Sequence, residues 1–421
     1  MTEIDVAVIG AGAAGLAAGL TLQKSGRSFI VLEARNRIGG RAFTDISTLP
    51  GIPFDVGGHW LHAAKQNPFT AIADRLGFRY NAAIDWSHRV MLTGGGGTAE
   101  RGALDSSSAS LMRVLDCIED AGRDGRDVAY TDVIDTSDPW YPLVRRVLTQ
   151  ITSQEPDDCS TLDYARYDGE GGDFPVEDGY GALVAANAAG LPVGLDTPVT
   201  AIDWSGPGIK IETPSGSVKS RTVIVTLPVN VLAQSFRFTP ALPLALTEAI
   251  HGCPMGHAEK IAVLLDRPID GVGHVYGDVV NGLPISGEPF NLHLNPFGRP
   301  LVVSHLGGGD ARDLERAGAA AMQDLAIERM MFAFGTGIRK RIQKCLTTHW
   351  SSDPWTRGGY SHALPGKADT RKAFGDPVAD RIFFAGEHCS ANFYSTIHGA
   401  HLSGIAAAAK ALSAIAADRR P

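Results

Sequence analysis

Three glycines spaced as Gly10-Ala11-Gly12-Ala13-Ala14-Gly15 stand between the β-branched run Ile4–Ile9 and a helix-forming stretch, the context in which that spacing has a chemistry. The first glycine turns tightly, the second lets backbone approach a pyrophosphate, and the third allows close helix packing. Ala14 falls in the first helical turn, where unpaired N–H groups and the helix dipole favour phosphate. Glu33 ends the next apolar run, 18 residues after Gly15, placed to accept both hydroxyls of an adenosine ribose and to repel a 2′-phosphate. This unit alone leaves NAD and FAD both open. The basic glycine loop that follows, Ala34-Arg35-Asn36-Arg37-Ile38-Gly39-Gly40-Arg41, can wrap a dinucleotide from its second side and favours FAD. Arg35 is expected near the adenosine, and Arg41 at a phosphate or the flavin edge.

The elements that must position these residues begin with one βαβ unit: a strand at Ile4–Ile9, a helix from about Ala13 to Lys24 closed by Ser25-Gly26, and a strand at Ser28–Glu33. From Asn67 to Asp178 the pattern turns helical and polar, interrupted by a hairpin tip at Gly94–Gly97. A three-stranded meander is predicted over Pro198–Trp204, Ile209–Thr213 and Thr222–Thr226, with turn residues between the strands. A second mixed stretch, from about Ala249 to Asp369, holds strands near Lys260–Leu265 and Leu301–His305 and a helix near Ala319–Phe334. A strand at Arg381–Ala385 and a long helix from about Thr396 close the chain. The expected fold is α/β: a Rossmann-like dinucleotide domain formed by segments 1–66, 179–248 and 370–421, interleaved with a mixed α+β substrate-binding domain formed by 67–178 and 249–369.

At 421 residues, with 44% hydrophobic and 20% charged residues, the chain reads as globular with a large core. Its 49 glycines imply many tight turns or close approaches to a ligand. A net charge of −8 argues against a non-specific binder of nucleic acid or anionic membrane and is compatible with cationic substrates. The five cysteines are scattered, odd in number and free of any metal-ligand spacing, so they are expected to be reduced thiols in a cytoplasm, with no metal site. A first strand starting at Ile4 leaves no room for a secretion leader, and the Ala-rich stretch Gly404–Ala417 is expected to be too short to span a bilayer.

Further motifs resemble the flavin-containing amine oxidase superfamily, in patches over nearly the whole chain. Asp55-Val56-Gly57-Gly58-His59-Trp60-Leu61-His62 with Asn67-Pro68 is similar to the polyamine oxidase branch in particular. Thr226-Leu227-Pro228 with Val231-Leu232 resembles the family's turn after the meander. Phe384-Ala385-Gly386-Glu387 and Tyr394-Ser395-Thr396-Ile397-His398-Gly399-Ala400 with Ser403-Gly404 resemble its closing motif. The resemblance implies a glutathione-reductase-like FAD domain. Gly57, Gly58, His59, Trp60 and Gly386 would line the cofactor, Glu387 would bind its ribityl or pyrophosphate region, and Val199 would hold adenine through its backbone. Ile397 would begin a helix pointing at the flavin pyrimidine, where its dipole stabilises negative charge on the reduced ring.

The same resemblance implies the reaction. Lys260, which composition alone would place on a solvent-facing strand, matches a lysine that holds a water beside flavin N5. Trp350 and Tyr360 match an aromatic motif in which monoamine oxidases carry a flavin-linked cysteine where Gly359 stands, so FAD here is expected to be non-covalent. Tyr360 would form one wall of an amine cage, with Thr396 at the other wall in place of a tyrosine. His62 matches a histidine that hydrogen-bonds a substrate nitrogen, whereas His398 caps or packs the last helix. Asp157, Asp158, Asp173 and Glu177 either steer distal ammonium groups or form a solvated face. The implied activity is hydride transfer from the α-carbon of an amine to flavin N5, giving an imine that hydrolyses to an aldehyde or ketone, while O2 becomes H2O2. The alternative is an L-amino-acid oxidase, for which Arg145, Arg146 and Arg166 are available, or a desaturase of the same fold.

Overall fold

The computed structural model describes residues 3–84 and 89–417. Its first sheet has seven strands, in the order Arg237–Thr239, Ala201–Asp203, Ile209–Thr213, Gly216–Val225, Ile4–Ile9 and Phe29–Leu32, with Ile382–Phe384 paired alongside Gly216–Val225. Gly216–Val225 joins two arrangements. Its first half closes the antiparallel meander against Ile209–Thr213, and its second half runs parallel to Ile4–Ile9 and to Ile382–Phe384. The β-branched cluster Val6, Val8, Val31 and Ile224 is buried under the helix Ala13–Ser25, as a parallel strand covered by helices requires.

The C-terminal helix Ile397–Ala417 lies on that first helix. Gly404 permits the contact, since a Cβ there would come within 2.1 Å of the Ala14 carbonyl oxygen. This helix is longer than the Ala-rich stretch suggests: 21 residues, long and apolar enough by length and composition to cross a membrane, with one face buried through Gly404, Ala407, Ala408 and Ala411.

The second sheet also has seven strands: Ile342–Thr347, Ala258–Leu265, Leu301–Gly307, Phe290–Leu294, Val275–Val279, Arg89–Gly94 and Gly97–Thr98. The last two form the hairpin expected at Gly94–Gly97. Every strand of the first sheet falls within segments 1–66, 179–248 and 370–421, and every strand of the second within 67–178 and 249–369. Ala319–Phe334 packs its Met322, Ala326 and Met330 against the second sheet, and Arg101–Arg123, Tyr141–Thr152 and Thr161–Arg166 make a smaller helical cluster.

Candidate active site

The nucleotide cradle is built mainly from backbone. Gly10 adopts φ +99°, and a Cβ at Gly15 would fall 1.8 Å from the Gly10 carbonyl oxygen, so neither position accommodates a side chain. At Gly12 a Cβ would meet nothing within 4 Å: its open side faces space rather than protein. The helix Ala13–Ser25 begins with no side-chain cap and no acid in its first turn, leaving its N–H groups and dipole for an anion. Gly40 closes over this turn, its Cβ position 3.2 Å from Gly12 Cα, and the Gly39 N–H donates to the Ala11 carbonyl. Buried Glu33 accepts from the N–H of Ala11 at 2.7 Å and of Arg35 at 2.9 Å, tying the glycine turn to the basic loop at Ala34. The segment through Thr197 and Val199 runs beside it, with the Thr197 N–H donating to the Glu33 carbonyl. An open phosphate-facing turn, an uncapped helix and an acid at the end of the second strand fit an FAD adenosine diphosphate.

Two of the expected cofactor residues are also held by protein partners. Arg35 pairs with Asp353 at 2.6 Å. Glu387, expected to reach the cofactor, has both oxygens engaged inside the protein: it accepts from Arg41 at 2.9 Å, the Ser361 N–H and hydroxyl, and the Ser395 N–H. These donors overcome burial and hold its carboxyl down at about 2. These bonds fix Arg41 and the turn after Gly386. Arg41 also donates to the Gly359 carbonyl at 2.8 Å, which links the basic loop to the Gly359-Tyr360 motif. A side chain at Gly359 would begin 2.7 Å from the Ala258 Cβ, so a flavin-linked residue has no room there.

The strand Ala258–Leu265 divides its neighbours by side. On one side buried Glu259 accepts from the Thr348 hydroxyl at 2.5 Å and the Trp350 N–H at 2.8 Å, pinning the turn that carries Trp350. The Trp350 indole donates to the Val56 carbonyl at 3.2 Å. On the other side the Lys260 ammonium reaches the Asp55 carbonyl at 2.8 Å, the Gly57 carbonyl at 2.5 Å and His59 Nδ1 at 2.9 Å. Burial pushes Lys260 down to about 8, against the pull of Asp55. All three of its hydrogens have protein acceptors, so a charged Lys260 keeps none for the bridging water that the resemblance implied. Gly57 and Gly58 bring this loop against the cofactor side: a Cβ at Gly57 would sit 1.7 Å from the Arg41 carbonyl oxygen, and one at Gly58 2.9 Å from Ile397.

Around His59 lies a wall of rings. Its imidazole lies tilted against Trp60 with centroids 3.5 Å apart and stacks on His305 at 5.1 Å. Tyr276 lies 4.1 Å from His293 and 6.4 Å from Trp60, ring centroid to ring centroid. Strand register brings this about, because His305 stands opposite Lys260 and His293 opposite Tyr276. Burial, reinforced by Lys260, holds His59 and His305 well below the ordinary histidine value, so they are neutral. Ring nitrogens of His59, His293 and His305 lie within 4.8 Å of one another. The Lys260 ammonium already supplies the local cation, and we assign no metal there. Tyr276, His293 and His305 escaped the sequence reading, which offered no signal for them beyond two histidines in otherwise apolar runs.

The remaining candidates are distributed unequally. The Tyr360 hydroxyl donates to the Gln150 carbonyl, which fixes its ring beside a residue whose amide donates to the His305 carbonyl at 2.5 Å. Thr396, expected as a cage wall, is the N-cap of the last helix: its hydroxyl donates to the Phe393 carbonyl and accepts from the Gly399 N–H at 3.0 Å. It is buried, and its hydroxyl caps the helix that starts at Ile397. His62 pairs with Asp173 at 2.9 Å, its ring 5.8 Å from Trp60. Glu177 is occupied by Arg79 and Arg299, and Asp157 accepts from Thr131 at 2.5 Å. His398 packs on Phe393 at 4.7 Å. Arg145, Arg146 and Arg166 are each paired with carboxylates.

A sequence model described as flavin containing amine oxidoreductase matches residues 13–129 and 140–412. Polyamine oxidase 4 of Oryza sativa subsp. japonica is 28% identical over 432 residues, covering 96% of this chain and 88% of that one. Lysine-specific histone demethylase 2 of Homo sapiens is 26% identical, covering 96% of this chain but 53% of its own. The fold matches a solved structure of putrescine oxidase, wild type bound to putrescine, with a TM-score of 0.79 at 21% identity, over 98% of this chain and 99% of that one.

Proposed function

The chain belongs to the flavin-containing amine oxidoreductase family, and from that premise we propose that its substrates are small di- or polyamines. It is an FAD-dependent amine oxidase, with FAD bound non-covalently and O2 as the final acceptor. The observation that carries the substrate reading is the pairing of His62 with Asp173 across Trp60 from His59 and Lys260. Burial raises the Asp173 carboxyl, but the hydrogen bond and charge of His62 outweigh it and hold the group below its ordinary value. An anionic carboxylate on the far side of His62 from Trp60 suits a second ammonium group. The relatives named as polyamine oxidases support the same class.

FAD supplies the hydride acceptor when bound and passes the electrons to O2. The protein's part is to bind and orient. Tyr360 and Trp350 present fixed rings, Lys260 and His59 present polar atoms beside the Gly57-Gly58 loop, and the ring wall from Trp60 to His293 limits water around the amine. Carboxylate pairing of Arg145, Arg146 and Arg166 speaks against an amino-acid oxidase, which needs a free cation for its substrate's carboxylate. We place the enzyme in the cytoplasm, on the ground that its five cysteines are unpaired.

The test is a peroxide-release assay across putrescine, spermidine, spermine, aromatic monoamines and L-amino acids. Peroxide from the diamine or polyamines, exceeding that from monoamines, is the expected result. Activity confined to monoamines would remove the His62–Asp173 reading, and activity confined to amino acids would replace the substrate class.

A further inference from the structure

We propose that Lys260 and His59 form a two-group relay that takes the ammonium proton from the incoming amine; this rests on the amine oxidase reading above. The geometry is specific about which atoms take part. His59 turns Nδ1 to Lys260 at 2.9 Å, so Nε2 points away from it. Both side chains lie deep in the protein yet keep part of their surface accessible. An amine is oxidised as the neutral base, whereas it arrives largely as the cation, so a proton must leave before hydride does.

With Lys260 charged, its three hydrogens occupy the carbonyls of Asp55 and Gly57 and His59 Nδ1, and the imidazole carries its own proton on Nε2. With Lys260 neutral, two hydrogens still serve the carbonyls, and the lone pair faces His59. The imidazole then carries its proton on Nδ1, and Nε2 becomes an acceptor. In that state the substrate N–H bond breaks and its electron pair stays on the amine nitrogen. Nε2–H forms, Nδ1–H breaks, and a new N–H bond forms on Lys260 Nζ. One positive charge moves from substrate to Lys260, nothing is oxidised, and His59 is neutral before and after. That neutrality matters because burial, with Lys260 adjacent, makes a His59 cation unfavourable. The charged or titratable groups facing the pair are Asp55, whose carboxylate is turned to Thr44, Tyr180 and Gly181, and His62, His293, His305 and Arg146. Burial brings the neutral form of Lys260 within reach near pH 8.

The experiment is nitrogen NMR of the holoenzyme labelled with 15N-histidine, with His59→Asn used to assign the His59 signals. The expected result is an exchange of protonation type between Nε2 and Nδ1, with a midpoint near the value of about 8 for Lys260 and loss of the exchange in Lys260→Met. A single tautomer throughout, or both nitrogens protonated together, would overturn the relay. Peroxide release by His59→Asn should fall at least about tenfold near neutral pH and recover near pH 10, where a free amine of ordinary basicity loses its proton unaided. An unchanged pH profile would also overturn it. Should His59→Asn fail to fold, the wild-type and Lys260→Met spectra decide alone. A fixed tautomer in an enzyme whose flavin amines still reduce rejects the relay and leaves the amine oxidase reading standing.

Discussion

The nucleotide cradle and the ring-lined chamber use opposite materials. The cradle is backbone: Gly10, Gly12, Gly15 and Gly40 remove side chains so that main-chain N–H groups and a helix end can meet phosphate. The chamber is side chain: Lys260, His305, His293 and Tyr276 come from four strands, and His59, Trp60 and His62 from a separate segment around the short strand Trp60–Leu61. A cradle of this kind has no room for a side chain at Gly15 or Gly10 and recognises a diphosphate rather than the rest of the molecule. A chamber of this kind tolerates substitution better and decides which molecule reacts.

The largest effect should come from filling the cradle. Gly15→Val puts carbon against the Gly10 carbonyl oxygen, where the Cβ position is already 1.8 Å away. Overpacking at such a contact costs up to about 3 kcal/mol, so FAD retention on purification, read from flavin absorbance, should fall by up to about a hundredfold. Normal flavin content in this variant would break the contrast.

Lys260→Met should do the reverse: full flavin content with peroxide release lowered by about 10²–10⁴-fold, the range for loss of a positioned proton-handling group. Stability reports on the same residue. The folded protein holds Lys260 near 8 against an ordinary 10.5, so between those values the unfolded chain binds more protons. Wild type should therefore gain stability relative to Lys260→Met as pH rises from about 8 to about 10, measured as the difference between their denaturation midpoints. A constant difference would show that Lys260 is not buried as described.

These two regions were unequally legible in the sequence, for physical reasons. Gly10, Gly12, Gly15 and Glu33 lie within one βαβ unit, and local spacing defines what that unit does. Lys260 was noticeable as a charge inside Ile261-Ala262-Val263-Leu264-Leu265, although its partners Asp55, Gly57 and His59 are about two hundred residues away. The strands Val275–Val279 and Phe290–Leu294 were not found, because Asp278, Asn291 and His293 interrupt their apolar runs. Those polar residues are buried: Asp278 sits between Arg89 and Arg146, and His293 against His274 at 2.7 Å. Polar groups that face a chamber read in sequence like groups that face water. Thr396 shows the converse case, since its family position suggests a cage wall while its local sequence sets a helix start, where the hydroxyl serves as a cap.

His62→Ala sharpens the comparison within the chamber. Loss of a hydrogen bond to a charged group is worth about 1.5–3 kcal/mol, so KM for putrescine should rise at least about tenfold, with a smaller rise for a monoamine of similar length. Equal rises for both would remove His62 and Asp173 from recognition of the second nitrogen. Tyr360→Phe should have the smallest effect. It removes one donor to the Gln150 carbonyl, which lowers stability by about 1 kcal/mol and changes turnover only a few-fold, because the ring remains. A large loss of activity would mean that the hydroxyl itself touches substrate.

The most direct measurement of the central claim is anaerobic mixing of the purified yellow holoenzyme with putrescine or spermidine, followed by flavin absorbance. Bleaching of the oxidised flavin by the amine, restored when oxygen is admitted with peroxide formed in equal amount, is the result expected of an amine oxidase. Flavin that stays oxidised with every amine, in a protein whose FAD is fully loaded, would contradict it.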